Sequence, residues 1–357
     1  MSEHEGTAAM TDPRLLALAT AVPPYVLRQS EVRARARHLF AGAGNEIERL
    51  LPVFENAEIE TRYSCVPIEW YDAPAGWKDR NHIYLENAVS LLERVTRACL
   101  AEAKLPVGAI DAIVVVSTTG IATPSLDALL MERLGMRRDV QRLPIFGLGC
   151  AGGVIGLARA AALARMAPAS HVLFLVVELC ALCFRKNDFS KSNVVATALF
   201  GDGAAGAILS AGGDLGPRIG PAGEHTWPHS LDIMGWQVED DGLKALFSRD
   251  IPALVRGKLR GVAETFLARH EYTLDDIDAF VCHPGGAKVL TALEQAFGLA
   301  AGALAEGRRV LRDYGNMSAA TVLFVLERML RHGIKRRMLL SALGPGFTAG
   351  FLVLDDR

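Results

Sequence analysis

The 357-residue chain has no excess of charge of either sign: 38 lysines and arginines stand against 40 aspartates and glutamates, a formal net charge of −2. It therefore carries no basic footprint for DNA or RNA, and no nucleic-acid partner is expected. A long apolar run is also missing. The richest, Val172 to Val177, ends at Glu178; a membrane span needs roughly 18 apolar residues, so this run reads as a buried strand. The start, Met1-Ser2-Glu3-His4-Glu5, is acidic and leads into no apolar segment, unlike a signal peptide, and a cytoplasmic location is expected. The six cysteines, Cys65, Cys99, Cys150, Cys180, Cys183 and Cys282, are too scattered for a disulfide framework. Cys180-Ala-Leu-Cys183 has CxxC spacing, but no second CxxC or HxxxH follows, so the ligand set of a structural zinc site is lacking. What the chain does have is apolar mass. Half its residues are apolar and 22% charged, which fits one large α/β unit or two domains with room for a substrate-sized cavity.

Beyond a polar start running to about Pro13, short β-branched runs alternate with helical patterns, as in parallel α/β layers. Ala88, Leu92, Val95 and Cys99 recur at helical spacing within Tyr84 to Ala103, an amphipathic helix. Asp111 to Ser117 reads as a strand, Thr123-Pro124 to Gly135 as a helix started by proline, and Ala151 to Met166 as a helix apolar nearly all round, which must be buried. An internal repeat runs through the chain. Ile110-Asp111-Ala112-Ile113-Val114-Val115 resembles Ile277-Asp278-Ala279-Phe280-Val281-Cys282, with Asp111 and Asp278 separated by 167 positions. The helix after Cys150 is matched by Met317 to His332 after Asn316, 166 positions on, and the strand Val172 to Val177 by Met338 to Ala342. Phe200-Gly201-Asp202-Gly203-Ala204-Ala205-Gly206 echoes Gly344-Pro345-Gly346-Phe347-Thr348-Ala349-Gly350 at a shorter offset, so the first half carries an insertion around Phe184 to Val195. Two similar α/β halves follow, residues 1–210 and 211–357, joined near Ala211 to Gly216, with their most buried helices packed together.

That arrangement places Cys150 and Asn316 at equivalent positions, the starts of the two central helices, and His283 at the end of a strand. Sites in α/β layers form where strand ends and helix starts converge. A cysteine at a helix N-terminus beside an imidazolium is expected to be a thiolate. The glycines of Phe146-Gly147-Leu148-Gly149-Cys150-Ala151-Gly152-Gly153 allow a tight turn, close approach of an acyl group and free N–H donors for an oxyanion. Taken alone, Cys150 is a small buried apolar residue, His283 a satisfied core histidine and Asn316 a helix cap. The Gly-rich turn, the Cys282-His283-Pro284-Gly285-Gly286 strand end and the match of Asn316 to Cys150 weigh against those readings. Cys282 is a rival nucleophile, but strand alternation turns it away from the face His283 serves.

These residues carry a resemblance. Cys150, His283 and Asn316, with Ala198-Leu199-Phe200-Gly201-Asp202-Gly203, His283-Pro284-Gly285-Gly286, Tyr314-Gly315-Asn316-Met317-Ser318 and Gly344-Pro345-Gly346, resemble the type III polyketide synthases of the chalcone and stilbene synthase family, from about residue 15 to the C-terminus. Met234-Gly235-Trp236, Gly242-Leu243 and Asp250-Ile251-Pro252 are similar to its bacterial branch. The resemblance implies the thiolase fold, five layers αβαβα from two duplicated halves, and a homodimer acting on acyl-CoA and malonyl-CoA with no metal or other cofactor. It makes Cys150 the acyl-bearing nucleophile, His283 and Asn316 the pair that holds the thioester oxygen, and Phe200 the gate between CoA tunnel and cavity. Thr118, Thr119, Cys183, Leu243, Ala245, Ser318 and Phe347 are implied to line the cavity, Thr123 to reach the partner subunit, and Arg62 and Lys288 to bind CoA phosphates. Near Ala245 the plant enzymes carry a bulky aromatic, so a small residue there leaves room for a long acyl chain. The implied reaction is loading of an acyl starter on Cys150, decarboxylative Claisen condensation with malonyl-CoA, and cyclisation to an alkylpyrone or alkylresorcinol. Alternatives are a malonyl-CoA-only synthase making a naphthalene or phloroglucinol, a ketoacyl-ACP synthase III, a hydroxymethylglutaryl-CoA synthase using Glu178, and a non-catalytic acyl-binding module, which would not need the full Cys150, His283 and Asn316 set.

Overall fold

Strand and helix assignments follow the apolar pattern closely. The computed structural model describes residues 12–40, 42, 45–73, 75–167, 169–333 and 336–356; the polar start through residue 11 lies outside them. In the first half, five strands run side by side in the order Gln141–Ile145, Ile110–Val116, His171–Leu179, Asp202–Ser210, Arg14–Ala21. In the second the order is Ala279–Cys282, Arg337–Gly344, Thr348–Asp355, Arg218–Thr226. The pairings repeat. Ile110–Val116 is parallel to His171–Leu179 as Ala279–Cys282 is to Arg337–Gly344, and the next two pairings of each half are antiparallel. The halves meet edge to edge through one pairing, Arg14 with Arg218.

Three apolar cores separate the layers. Between the sheets lie the helices Gly152–Met166 and Thr321–Arg331, sharing a core that includes Val116, Leu157, Phe174, Val322, Leu323, Leu340 and Leu352. Outside the first sheet, Trp77–Ala103 and Leu126–Leu134 cover Ile113, Leu173, Leu175 and Ile208. Outside the second, Ile251–Ala268 and Ala287–Phe297 cover Leu339, Phe351 and Val353. This is the αβαβα sandwich of the thiolase fold. The central helices touch because the chain is thin there: a Cβ on Gly153 would sit 2.2 Å from the Ala319 carbonyl oxygen.

Two local expectations need correction. The proline-started helix begins only at Leu126, after Thr123 and Pro124, which are joined by a cis peptide bond. Cys150 and Asn316 are also not quite equivalent. Cys150 lies inside the one-turn 3-10 segment Gly149–Ala151 that precedes its helix, whereas Asn316 stands two residues before the matching turn Ser318–Ala320. The expected insertion is present between Leu179 and Asp202, where the first half inserts the turn Cys180–Cys183 and the helix Lys191–Leu199. The second half closes the same connection with a short turn after Gly344. Among the described residues no helix is long and apolar enough to cross a membrane.

Candidate active site

The two half-repeats each bring strand ends and a turn to one place, and a cavity of about 440 Å³ opens there. Cys150, His283 and Asn316 all line it. Each is held by its own element. Gly149 adopts φ +48°, a left-handed conformation in which a side chain would also strike Pro345, and its N–H donates to the Thr118 hydroxyl at 3.2 Å. His283 follows the strand Ala279–Cys282, its N–H donating to the Ser341 carbonyl at 2.8 Å. Strand alternation puts Cys282 on the other side, where it accepts from the Ser341 hydroxyl. Asn316 donates from Nδ2 to the Gly285 carbonyl at 3.2 Å and accepts the Ser318 N–H at 2.8 Å. One amide hydrogen of Asn316 stays available.

Electrostatics at the site are set by burial. Both ring nitrogens of His283 are buried without a protein hydrogen bond, and desolvation pushes the imidazole down to about 4, so the ring is neutral. Desolvation likewise raises the Cys150 thiol to about 12, assisted by Glu178 and opposed by the Ser318 hydroxyl. The expected thiolate–imidazolium pair is therefore not preformed. The short turn before the helix and the dry surroundings leave neutral groups favoured on both sides.

Glu178 is fully buried near the end of the strand His171–Leu179. Its Oε2 accepts from the Thr118 N–H at 3.0 Å and the Thr119 hydroxyl at 2.9 Å, while Oε1 is buried with no hydrogen bond. Burial lifts this carboxyl to about 7, against the pull of Thr118, Thr119 and Ser318. Thr118 and Ser318 thus link the Cys150 turn to Glu178 and Thr119 ties Glu178 to its own strand, and none of the three walls the 440 Å³ cavity. The signal for this in the sequence was a lone glutamate closing an apolar strand.

Phe200 lies just past the helix Lys191–Leu199 and packs on Trp236 and Phe247, with ring centroids 5.8 and 5.6 Å away. Ala245 and Cys180 complete that cluster. The strand Gly242–Phe247, bearing Leu243 and Ala245, packs on the helix Lys191–Leu199 and on the turn Cys180–Cys183. Leu243, Ala245 and Cys183 are buried there, beside the cavity and outside its lining.

Lys288 is exposed and lines the cavity at its mouth. Three cations that sequence reasoning missed join it: Arg49, Lys191 and Arg249. All four are exposed, and among the described residues none has a carboxylate in ion-pair range, whereas most arginines here are paired. Topology alone gathers them, since three sit on different helices and Arg249 on a turn. Two other expectations fail. Arg62 is buried away from the mouth, its guanidinium spent on the carbonyls of Thr197 and Phe200 and on Gln29. Phe347 stacks on Trp227 and faces a separate pocket of about 130 Å³, because the Ser230 hydroxyl holds its N–H on that side. Thr123, expected to reach the partner subunit, lies outside the cavity of its own subunit and is exposed, next to the exposed Ile121.

Known proteins match the chain along nearly its whole length. The family models for the N-terminal and C-terminal domains of chalcone and stilbene synthases match residues 2–213 and 220–355. A 1,3,6,8-tetrahydroxynaphthalene synthase of Streptomyces peucetius is 39% identical, covering 95% of this chain and 92% of its own. The alpha-pyrone synthesis polyketide synthase-like Pks18 of Mycobacterium tuberculosis is 28% identical over 95% and 90%. The crystal structure of 1,3,6,8-tetrahydroxynaphthalene synthase from Streptomyces coelicolor superposes with a TM-score of 0.91 at 30% identity, covering 96% of this chain and 99% of that one. The chain is a member of the chalcone and stilbene synthase family, a type III polyketide synthase that catalyses decarboxylative condensation.

Proposed function

We propose that this enzyme loads an acyl-CoA starter on Cys150, extends it with malonyl-CoA, and releases an alkylpyrone or alkylresorcinol. The observation that carries the reading is the convergence of Cys150, His283 and Asn316 in one cavity whose mouth holds four uncompensated cations. CoA is a polyanion, and Arg49, Lys191, Arg249 and Lys288 give its phosphates a place to bind. Residues 1–210 supply Cys150, and residues 211–357 supply His283 and Asn316. The enzyme acts in the cytoplasm as a homodimer. In support of the dimer, the strand Gln141–Ile145 is a sheet edge, followed by Phe146 at 62% exposure.

In loading, the neutral His283 ring takes the Cys150 proton. The sulfur attacks the thioester carbonyl, the C–S bond to CoA breaks, and the CoA thiolate takes that proton back. In extension, the malonyl carboxylate leaves as carbon dioxide and its bonding electrons move onto the thioester oxygen. The free N–H of Asn316 and an N–H of His283 hold that oxygen, in a pocket that offers no acidic proton. The enolate carbon then attacks the acyl-Cys150 carbonyl; a C–C bond forms and the cysteine sulfur leaves.

Apolar residues near the nucleophile, Val194, Val195, Met234 and Leu293, and the small Ala245 and Cys183 support a fatty acyl starter, since each buried methylene contributes roughly 0.8 kcal/mol. A second reading, malonyl-CoA as both starter and extender with a naphthalene or phloroglucinol product, is supported by the tetrahydroxynaphthalene synthases among the relatives. Incubation with malonyl-CoA alone and with short, aromatic and long acyl-CoAs, followed by mass spectrometry, separates the two. Extended fatty acyl products support the first. A product from malonyl-CoA alone, with fatty acyl-CoA ignored, overturns it in favour of the second.

A further inference from the structure

The helix Lys191–Leu199 ends in an unusually complete set of hydrogen bonds. The last carbonyls of a helix have no partner within it. Here each finds one. Thr197 and Phe200 carbonyls accept from Arg62 Nη1 at 2.7 and 2.6 Å. The Ala198 carbonyl accepts from Gln29 Nε2 at 2.9 Å, and Gln29 Oε1 in turn accepts from Arg62 Nη2 at 3.0 Å. The Leu199 carbonyl accepts the N–H of Asn316 at 2.8 Å, and Gly201 N–H donates back to the Asn316 carbonyl at 3.0 Å. One backbone bridge therefore ties Phe200 to Asn316, and one buried guanidinium fixes the side of Phe200 opposite that bridge.

The surroundings enclose Arg62, whose Nε is buried without a hydrogen bond while both Nη atoms are bonded. It is 2% exposed, and a Cβ on Gly315 would meet its Cγ and Cδ at 2.7 Å. Among the described residues no carboxylate pairs with it directly. Asp202 acts on it only through space, its own oxygens being used by the N–H groups of Cys65 and Ala181. Burial lowers the guanidinium to about 10, so it remains a cation at neutral pH and complements the negative end of the helix. A lysine offers one point charge where this site uses a planar fork reaching three acceptors.

We propose that Arg62 is a positioning residue for condensation, setting Phe200 and, through their shared backbone bridge, Asn316 against Cys150 and His283 without touching substrate. The inference rests on the condensing roles assigned to those residues above. It replaces the expectation that Arg62 binds CoA phosphate.

The test is Arg62→Lys, with Gln29→Met as a milder variant that removes one strut and leaves Arg62 in place. Thermal unfolding first establishes that each is folded. Acylation of Cys150 by acyl-CoA is followed by intact mass, and condensation with malonyl-CoA by steady-state kinetics. The expected result for Arg62→Lys is near-normal loading and an unchanged KM for malonyl-CoA. Its kcat for condensation falls by about 10- to 100-fold, the scale of a misplaced catalytic group. Gln29→Met shows the same split at smaller size, and carries the test if Arg62→Lys does not fold. Loading and condensation falling together, or a raised KM with normal kcat, would overturn the positioning role; so would a folded variant with wild-type kcat. A wild-type enzyme that condenses nothing refutes the functional reading itself, a result these variants cannot imitate.

Discussion

The Thr119 hydroxyl donates to Glu178 Oε2 at 2.9 Å and its oxygen accepts the Leu179 N–H at the same distance, so the carboxyl is locked to the end of its own strand. The lock holds a carboxyl that burial has raised to about 7. Its value in an unfolded chain is near 4.5, so between those limits the folded state binds the extra proton. Stability from this group is greatest at low pH and falls as pH rises from about 4.5 to 7. Glu178→Gln keeps the shape and removes the titration. Its Tm relative to wild type is expected to rise between pH 5 and pH 8. A relative Tm that is the same at both would show that Glu178 is ionised throughout.

Cys150 is the only cysteine lining the main cavity among the described residues, and its thiol lies near 12 with a neutral His283 beside it. Access rather than a preformed thiolate then selects it. Iodoacetamide is expected to label Cys150 before the other five cysteines, at a rate that climbs steadily from pH 6 to pH 9 and is slowed by CoA. A rate that levels off below pH 7 would reveal the ion pair that burial disfavours. Cys150→Ala is expected to form no polyketide.

Asn316 has two tasks that a substitution can separate. Its side-chain oxygen caps the Ser318 N–H, and its second amide hydrogen is free for an enolate oxygen. Asn316→Ala is expected to load Cys150 normally and to lose malonyl-CoA decarboxylation by about 100-fold, the usual loss for one oxyanion donor. Intact mass reports the first half-reaction and carbon dioxide release the second. Equal losses would reduce Asn316 to a cap.

The central layer was legible because the helix Gly152–Met166 has no polar face, and the duplication because Asp111 and Asp278 precede matching strands. Cys150, His283 and Asn316 could be singled out because each sits at a strand end or turn whose glycines mark it. The rim cations could not. Arg49, Lys191 and Lys288 lie on three helices and Arg249 on the turn before a fourth, and only the packing of those segments brings them to one mouth. Arg62 misled for the opposite reason. Its neighbours Thr61 and Tyr63 are partly exposed, and alternation along a four-residue strand does not disclose that three buried acceptors await its guanidinium. Ionisation was also out of reach, since the pull of a helix end can be read from sequence but the desolvation that outweighs it at Cys150 cannot.

The wall beside Phe200 offers a test of starter length. Ala245 is packed among Cys180, Ala196 and Phe200, with Trp236 and Phe247 alongside, and Cys183 closes the neighbouring turn. Any acyl chain that grows past Phe200 must displace this cluster, and the small side chains at 183 and 245 oppose it least. Ala245→Phe and Cys183→Phe raise that opposition, and overpacking a buried site costs about 1–3 kcal/mol of stability as well. Both variants are expected to fold with a lowered Tm and to shift the preferred starter toward shorter acyl-CoAs. Loading of a two-carbon starter should change little, because Cys150 lines the cavity whereas Ala245 and Cys183 are buried outside its lining. Competition between long and short acyl-CoAs in one reaction, read by mass spectrometry, reports the shift directly. Unchanged chain-length preference in both variants would place the acyl chain elsewhere and leave the condensation chemistry at Cys150 intact.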